Sequence, residues 1–284
     1  MIRINPRITE KLAFAFLFFS TLLILVPVFL ILVLIFKDGL PALSWEFLAS
    51  YPRLGMRAGG IFPALLGTVY LAAGTLVFSL PIGILGAIYL SEYAKDHGFK
   101  RVVEVAIINL AGVPSVVYGL FGLGLFVIFL KFGASLLAGS LTLGIMSLPV
   151  IITSTREALG TVPKSFREVS LALGATKWQT IRRAVLPNAL PGILTGTILA
   201  LSRAAGETAP ILFTVAAFYL PKLPQSIFDQ AMALPYHLYV ISTQVPNVKL
   251  SIQYGTALVL ILLVLAMNIV AIVIRARFRK RKLW

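Results

Sequence analysis

Long apolar segments are the feature of this sequence that most restricts its fold. A helix of about 20 apolar residues, rising 1.5 Å per residue, crosses roughly 30 Å of hydrocarbon. Only 12% of the residues are charged, whereas a water-soluble domain carries roughly 25%. We therefore expect an all-α membrane protein with six transmembrane helices. The predicted spans are Leu12–Phe36, Phe62–Leu90, Val105–Leu130, Leu136–Thr155, Pro191–Leu220 and Gly255–Ile274.

Basic residues are unequally divided between alternate connecting segments. Eighteen lysines and arginines fall on one side of the predicted spans and six on the other, with Arg203 inside the fifth span. Because cytoplasmic loops carry the excess, both termini are predicted to be cytoplasmic. The basic tail is interpreted as a topology anchor, with a site for anionic lipid as the alternative. The larger set is Arg3, Arg7, Lys11, Lys95, Lys100, Arg101, Arg156, Lys164, Arg167, Lys177, Arg182, Arg183, Arg275, Arg277, Arg279, Lys280, Arg281 and Lys282.

Composition disfavours several classes of functional site. The chain has no cysteine, so it offers no disulfide, thiolate metal site or cysteine nucleophile. His97 and His237 are far apart in the sequence, which disfavours a histidine-based metal site. We expect no metal and no cofactor. The net charge of +15 is attributed to membrane topology, and no nucleic-acid partner is expected.

The segment 156–188, between the fourth and fifth predicted spans, is the longest cytoplasmic loop. Ser165 is a suitable N-cap for a short helix over Phe166–Leu173. Glu168 would lie near the positive end of that helix dipole. The first half of the loop is therefore predicted to be helical.

A turn and a second helix complete the loop. Gly174 suits the end of the first helix because glycine accepts a left-handed backbone. A second helix is expected over Lys177–Val185, ended by Pro187. Two short helices that project into the cytoplasm indicate a surface on which a partner protein could dock.

The same loop contains a spaced motif, made of Glu168-Val169-Ser170, Gly174, Ala184 and Leu186-Pro187. This motif resembles the EAA loop of binding-protein-dependent permeases, which are membrane subunits of ATP-driven importers. The resemblance implies a MetI-like ABC permease fold in the cytoplasmic membrane. It also implies that Glu168, Gly174, Leu186 and Pro187 couple the chain to a separate ATPase. The alternative is a connector that packs only on its own membrane domain.

Domain organisation follows from the same motif. Residues 1–61 are expected to form a first transmembrane helix and an external loop, and residues 62–284 the permease domain. No G-x-x-x-x-G-K-[ST] segment occurs in the sequence, so the chain has no P-loop that could hold a nucleotide. We expect a non-catalytic membrane subunit, with ATP hydrolysed by a partner.

Two motifs within the predicted spans narrow the resemblance. Residues 113–122 are VPSVVYGLFG and residues 202–210 are SRAAGETAP, and both resemble the phosphate permeases of this superfamily. Residues 233–239, ALPYHLY, are similar to the A-type subunit rather than the C-type subunit. The resemblance implies import of phosphate by alternating access. Its implied partners are a C-type permease, two ATPase subunits, an external phosphate-binding protein and membrane lipid.

Arg203 and Glu207 are the charged residues of the predicted fifth span. Counted from Pro191 at 1.5 Å per residue, Arg203 would lie near the middle of the bilayer, where a charge needs a partner or a wet pathway. Glu207 is four residues further on, within reach of the guanidinium. Pro210 leaves the Gly206 carbonyl without its usual donor and predicts a kink. A guanidinium fork matches two oxygens of a tetrahedral oxyanion.

The predicted substrate pathway comprises Arg203, Glu207, Thr208, Ser115 and Tyr118. A structural ion pair is the alternative for the two charged residues. The hydroxyl groups have the alternative of bonding to their own backbone or to a neighbouring helix. Gly119, Gly122 and Gly124 are expected to mark close helix packing.

Several functions stay open at this level. Within the importer class, molybdate, sulfate or phosphonate are alternative substrates. A stand-alone secondary transporter driven by protons or sodium would need no ATPase partner, and the EAA-like loop argues against it. A membrane scaffold without transport activity is disfavoured by an arginine within a span.

Overall fold

The computed structural model describes residues 6–279. Arg3, Lys280, Arg281 and Lys282, which contribute to the predicted orientation, lie outside the described residues. Within the described range, helices dominate: α1 (Pro6–Gly39), α2 (Trp45–Ala49), α3 (Phe62–Ile88), α4 (Gly98–Ala111), α5 (Ser115–Gly122), α6 (Leu136–Gly160), α7 (Lys164–Ala172), α8 (Lys177–Thr180), α9 (Leu186–Gly206), α10 (Ala209–Thr214), α11 (Leu234–Thr243) and α12 (Leu250–Arg279). Two short strands, β1 (Pro52–Arg53) and β2 (Ala58–Gly59), pair antiparallel.

Three π-helical turns extend these helices, at Tyr89–Tyr93, Leu123–Phe129 and Ile181–Val185. Five helical segments are long and apolar enough to cross a membrane: Glu10–Ala42, Phe62–Tyr93, Leu136–Gly160, Lys177–Gly206 and Leu250–Phe278. The pair Gly98–Ala111 and Ser115–Phe129, bent by 104°, is the sixth candidate crossing. An all-α membrane fold with up to six crossings is thus confirmed for the described residues.

The predicted third span, Val105–Leu130, is wrong as a single straight helix. α4 ends at Ala111, α5 begins at Ser115, and their axes differ by 104°. Proline disfavours helical backbone at the residue before it, here Val113. Pro114 itself has φ −58° and ψ 141°. The sequence between the two helices therefore forces a corner.

The predicted fifth span, Pro191–Leu220, is wrong in its bounds. A continuous helix runs over Lys177–Gly206, and its predicted starting proline lies inside α9. Glu207 has an extended backbone (φ −72°, ψ 135°) and ends the helix. Pro210 falls in the first turn of α10, so the chain breaks there rather than kinks. Arg203 lies in the last turn of α9, so its depth cannot be counted from Pro191, and a mid-bilayer position stays a prediction.

The predicted loop helices are present, with two corrections. Ser165 does not cap α7: the helix begins at Lys164, its N-cap is Pro163, and no side chain caps it. The fixed φ of proline positions the chain at this helix start. The turn at Gly174 is confirmed, with φ +81°.

Pro187 does not end the second loop helix, contrary to the prediction. α8 continues through the π-helical turn Ile181–Val185 into α9. In this turn the Leu186 N–H donates to the Ile181 carbonyl, five residues back. The wider turn accommodates a residue that lacks an N–H donor. α8 is therefore continuous with a membrane helix.

The centre of the bundle consists of α3, α6 and α9, and α12 packs on α9. Small residues permit close approach: a Cβ at Gly83 would lie 2.6 Å from Ile151 Cγ2. Buried hydroxyl groups bond to their own helices, as Thr75 does to the Leu71 carbonyl at 2.7 Å. α1 packs mainly on α12, and most of its side chains are exposed.

Each end of the bundle has its own apolar cluster. At one end, residues 47–61 and 214–248 fold over α3 and α6; the Leu234 N–H, for example, donates to Thr68 Oγ1 at 2.8 Å. At the opposite end, a second cluster joins Ile88 of α3 to residues of the segment 156–188, among them Leu159 and Val185. We call this second end the loop end.

The burial of His237 predicts that the fold becomes less stable as the pH falls. It lies in α11, outside the candidate spans, is 3% exposed, and its Nδ1 has no hydrogen-bond partner among residues 6–279. Burial lowers the pKa of His237 from 6.5 to about 4. Between those pH values the unfolded chain binds a proton that the folded chain excludes. The free energy of unfolding should therefore fall by about 3 kcal/mol as pH drops from 6.5 towards 4.

Thermal unfolding of the purified chain in detergent, followed by circular dichroism from pH 7 to pH 4.5, measures this effect. His237→Gln should flatten the dependence of Tm on pH. His97→Gln changes an exposed histidine and should leave the dependence as in the wild type. Equal slopes for all three proteins would contradict the assignment.

Candidate functional site

A charged pair lies where α9 ends. Arg203 Nε donates to Glu207 Oε1 at 3.1 Å, and the two side chains are 37% and 17% exposed. The predicted contact between these residues is therefore present. No other hydrogen bond of the Arg203 guanidinium joins it to residues 6–279, so both terminal amino groups keep free donors.

The backbone at this position favours a cation. Arg203 is in the last turn of α9, where the negative end of the helix dipole attracts a positive charge. Glu207 is the first residue outside the helix, and its extended backbone turns the chain towards α10. The break therefore places a carboxylate and a guanidinium together beside an open helix end.

The two membrane motifs meet in space because α5 packs against α10. A Cβ at Gly119 would lie 2.8 Å from Phe213 Cδ2 and 3.0 Å from the Cα of Pro210. A Cβ at Gly122 would collide with the Thr142 side chain and would lie 2.9 Å from Thr214 Cγ2. The expectation of close packing is thus confirmed at these two glycines. At Gly124 it is wrong, because no atom lies within 4 Å of an added Cβ.

The other predicted pathway residues differ in whether their hydroxyl groups have a hydrogen-bond partner. Tyr118 is buried, and its hydroxyl donates to the Leu110 carbonyl at 2.7 Å. Ser115, at the start of α5, and Thr208, at the break, are half-buried. Neither hydroxyl has a side-chain hydrogen bond to residues 6–279. Arg203, Glu207 and Thr208 therefore lie together at the break, with Tyr118 near them on α5.

The segment 156–188 forms the second candidate site. α7 and α8 are joined by a turn whose N–H groups are satisfied: Gly174 N donates to the Leu171 carbonyl at 2.9 Å. Thr176 and Gln179 form a reciprocal capping box at the start of α8. The loop is therefore a fixed helix, turn and helix.

The outer surface of this loop carries several exposed apolar side chains. Val169, Leu171, Leu173 and Trp178 are all exposed, and Leu173 is 83% exposed. Glu168 and Gly174 lie on the same exposed loop. Exposed apolar patches on a defined surface mark sites of protein association. The geometry therefore fits a docking surface.

Comparison with known proteins decides the family. The model of the family described as "Binding-protein-dependent transport system inner membrane component" matches residues 79–283. The chain belongs to this permease family. YqgI of Bacillus subtilis (strain 168), named a probable ABC transporter permease protein, is 32% identical over 281 residues, covering 94% of this chain and 95% of the relative.

A second relative of the permease is PstA 1 of Mycobacterium tuberculosis (strain ATCC 25618 / H37Rv), named a phosphate transport system permease protein. It is 35% identical over 286 residues, covering 99% of this chain and 92% of the relative. The permease is thus a multi-pass membrane protein of the ABC importer class.

Solved importers share the fold of the permease. A chain of a bacterial ABC transporter involved in import of the acidic polysaccharide alginate superposes with a TM-score of 0.67 at 15% identity, covering 95% of this chain and 99% of that one. A chain of the inward-facing MetNI methionine transporter gives 0.59 at 19% identity, covering 77% and 94%. The expected MetI-like permease fold is confirmed.

Sequence reasoning missed a contact of the permease between Arg167 in α7 and Glu92 in the π-helical turn Tyr89–Tyr93. Glu168 makes no ion pair with residues 6–279, whereas its neighbour Arg167 pairs with Glu92 at 2.7 Å. Seventy-five positions separate those partners, so no local spacing could indicate the contact. Leu186 packs inward at the loop end and Pro187 is exposed at the start of α9.

No group of three or more histidine or acidic residues gathers into a possible metal site within residues 6–279.

Proposed function

We propose that this permease imports inorganic phosphate as one membrane subunit of an ABC importer. The observation that supports the substrate most directly is Arg203, held through Nε by Glu207 while its terminal amino groups are free. A guanidinium in that state can donate two parallel bonds to a tetrahedral oxyanion.

Glu207 adds a means of selection between oxyanions. Phosphate near neutral pH still has a hydroxyl that can donate to a carboxylate, whereas sulfate has none and is repelled. Thr208, Ser115 and Tyr118 complete the proposed pathway. A relative at 35% identity is named a phosphate transport system permease protein, which supports phosphate over molybdate, sulfate or phosphonate.

The exposed face of α5 supports pairing with a second, C-type permease. Val116, Val117, Leu120 and Phe121 are each about half-exposed, although their helix belongs to the candidate site. A substrate pathway between two permeases would cover this face and enclose the Arg203 site. Alternating access then follows from relative motion of the two subunits.

The outer surface of α7 and α8 supports docking of a partner ATPase. Glu168 and Gly174 would lie in that interface, and Leu186 and Pro187 would join the docking helix to α9. Two ATPase subunits, one for each permease, and an external phosphate-binding protein complete the proposed assembly. The solved alginate transporter is in complex with a periplasmic protein that holds alginate, which supports delivery by such a partner.

Orientation and domain limits are part of the proposal. The excess of lysine and arginine at the loop end supports a cytoplasmic loop end and cytoplasmic termini. Residues 62–284 would form the permease domain, and residues 1–61 a first membrane helix with its external loop. Membrane lipid would surround the exposed surface of α1.

We predict that Arg203→Ala eliminates phosphate uptake. Loss of two charge-assisted bonds removes about 3 kcal/mol of anion stabilisation, which corresponds to roughly 100-fold in rate. Arg203→Lys should restore little, because a point charge cannot replace the fork. Uptake of labelled phosphate is measured in liposomes that contain the complete transporter. Arg275→Ala, which removes an arginine of α12 that donates to Thr195 Oγ1 at 3.1 Å, should transport normally.

Glu207→Gln tests whether Glu207 discriminates between phosphate and sulfate or only holds Arg203. It should lower phosphate uptake less than Arg203→Ala does, and it should weaken discrimination against sulfate in competition. Unchanged sulfate competition would make Glu207 a structural partner of Arg203 alone. Normal phosphate uptake by Arg203→Ala would remove the anion role from this site.

We predict that Gly174→Val detaches the partner ATPase. Valine at φ +81° strains the turn between α7 and α8, although no atom lies within 4 Å of the added Cβ. Gly160→Val also meets open space but has no positive φ, so it is the matched control. Co-purification of the ATPase with the tagged permease should fall only for Gly174→Val; equal recovery would contradict docking through this turn.

Cysteine labelling tests the orientation in a chain that has no native cysteine. Trp45→Cys, at an 82% exposed position, should react in intact cells with a thiol reagent that cannot cross membranes. Lys95→Cys, exposed at the loop end, should react only after the cells are opened. The reverse pattern would invert the proposed topology.

A further inference from the structure

One guanidinium at the loop end bonds to two separate parts of the chain. Arg167, in α7, donates to Glu92 through Nε at 3.2 Å and through Nη2 at 2.7 Å. Its Nη2 also donates to the Leu159 carbonyl at 3.0 Å, and its Nη1 to the Val162 carbonyl at 2.9 Å. Glu92 is in the π-helical turn that ends the α3 crossing, and Leu159 is in α6. Arg167 therefore ties the first docking helix to the ends of two membrane helices.

This ion pair is sheltered from water. The Arg167 and Glu92 side chains are 21% and 10% exposed, whereas Asp96 in the Lys100–Asp96 pair is 93% exposed. Partly buried pairs are screened less by salt than exposed ones. Loss of one partner would leave a charge without compensation in a poorly hydrated place. The Glu92–Arg167 pair is thus the stronger constraint of the two.

Apolar packing under the loop complements the ion pair. Ile88 from α3, Leu159 from α6 and Ile181 from the π-helical turn share one buried cluster, and Phe166 of α7 packs against it. Apolar burial is non-directional, so it holds these elements together without fixing how α7 is placed along them. The bidentate ion pair supplies that direction.

Two weaker contacts connect the same elements. Lys177 Nζ lies 4.9 Å from the centre of the Tyr93 ring, which links α8 to the end of the α3 crossing. Ser170 Oγ and Thr180 Oγ1 are 2.9 Å apart, which links α7 to α8. Both loop helices are therefore attached to the π-helical turn Tyr89–Tyr93.

We propose that Glu92 and Arg167 are positioning residues that make the docking helices and the loop end of α3 move as one body. This inference rests on the proposed function, because a partner ATPase supplies the movement of α7. Force applied at the exposed apolar surface of the loop would reach α3 through the ion pair. Without the pair, the partner would still hydrolyse ATP, but α3 would no longer follow α7.

The transport test uses the complete transporter, reconstituted in liposomes with its external binding protein. Glu92→Gln should lower phosphate imported per ATP hydrolysed by about tenfold, with the ATPase still bound and active. Glu104→Gln removes another ion pair at this end, Glu104–Arg156 at 2.6 Å, which does not touch α7. This control should keep the wild-type ratio; a normal ratio in Glu92→Gln would overturn the proposal.

Two further variants separate positioning from simple instability. Arg167→Lys keeps the charge but loses the fork, so its transport ratio should lie between those of the wild type and Glu92→Gln. Glu92→Gln combined with Arg167→Gln should be no worse than the more impaired single variant, since both changes break one contact. Fully additive losses would show that the two residues act independently and would overturn the pairing.

A distance measurement tests the link without any transported substrate. Spin labels at Ser165→Cys in α7 and Tyr89→Cys at the end of α3 use the absence of native cysteines. Their separation should be the same in the nucleotide-free and nucleotide-trapped transporter, and Glu92→Gln should shift or broaden it. A separation that changes with nucleotide in the otherwise unaltered transporter would overturn the inference. Failure of phosphate uptake by that transporter, with the separation unchanged, would overturn only the proposed substrate.

Discussion

The absence of water in a bilayer core requires every backbone N–H and C=O there to find a partner within the protein. This requirement explains why the permease is a set of long helices and why its irregularities have identifiable repairs. Pro81 and Pro149 are accommodated inside α3 and α6. Ahead of Pro187, a π-helical turn moves the acceptor of the Leu186 N–H by one residue. The long helices end at defined breaks, one of which is at Glu207 and Thr208.

The two candidate sites lie at opposite ends of one long helix. The helix over Lys177–Gly206, 30 residues long, has the docking helix α8 at one end and the Arg203–Glu207 pair at the other. At 1.5 Å per residue it spans about 45 Å. One continuous element therefore joins the surface proposed to receive the ATPase to the site proposed to receive the anion. The α3 crossing is attached to the same loop through Glu92.

The sequence was sufficient for the features that depend on local pattern. Apolar length predicts the crossings, a four-residue spacing predicts the contact of Arg203 with Glu207, and glycine predicts the turn at Gly174. It was insufficient where neighbouring residues decide the bounds of a helix. Pro163, and not Ser165, is the N-cap of α7, and the π-helical turn continues the second helix past Pro187. The Glu92–Arg167 contact depends on how separate helices pack, which no periodicity encodes. The predicted start of the fifth span at Pro191 was wrong because the helix continues from the loop into the membrane segment, and the depth of Arg203 counted from it stays a prediction.

The π-helical turn at Ile181–Val185 makes the length of the chain depend on the identity of one residue. Such a turn is an α-helix with one residue inserted, and here the insertion makes room for Pro187. The Asn188 side chain assists by donating to the Ala184 carbonyl at 2.8 Å. Deleting one residue from this turn would restore the regular helix and press the proline ring against a carbonyl of the preceding turn. Chain length and residue identity are therefore linked here: a one-residue deletion in this turn would fit a regular helix only if Pro187 were also replaced.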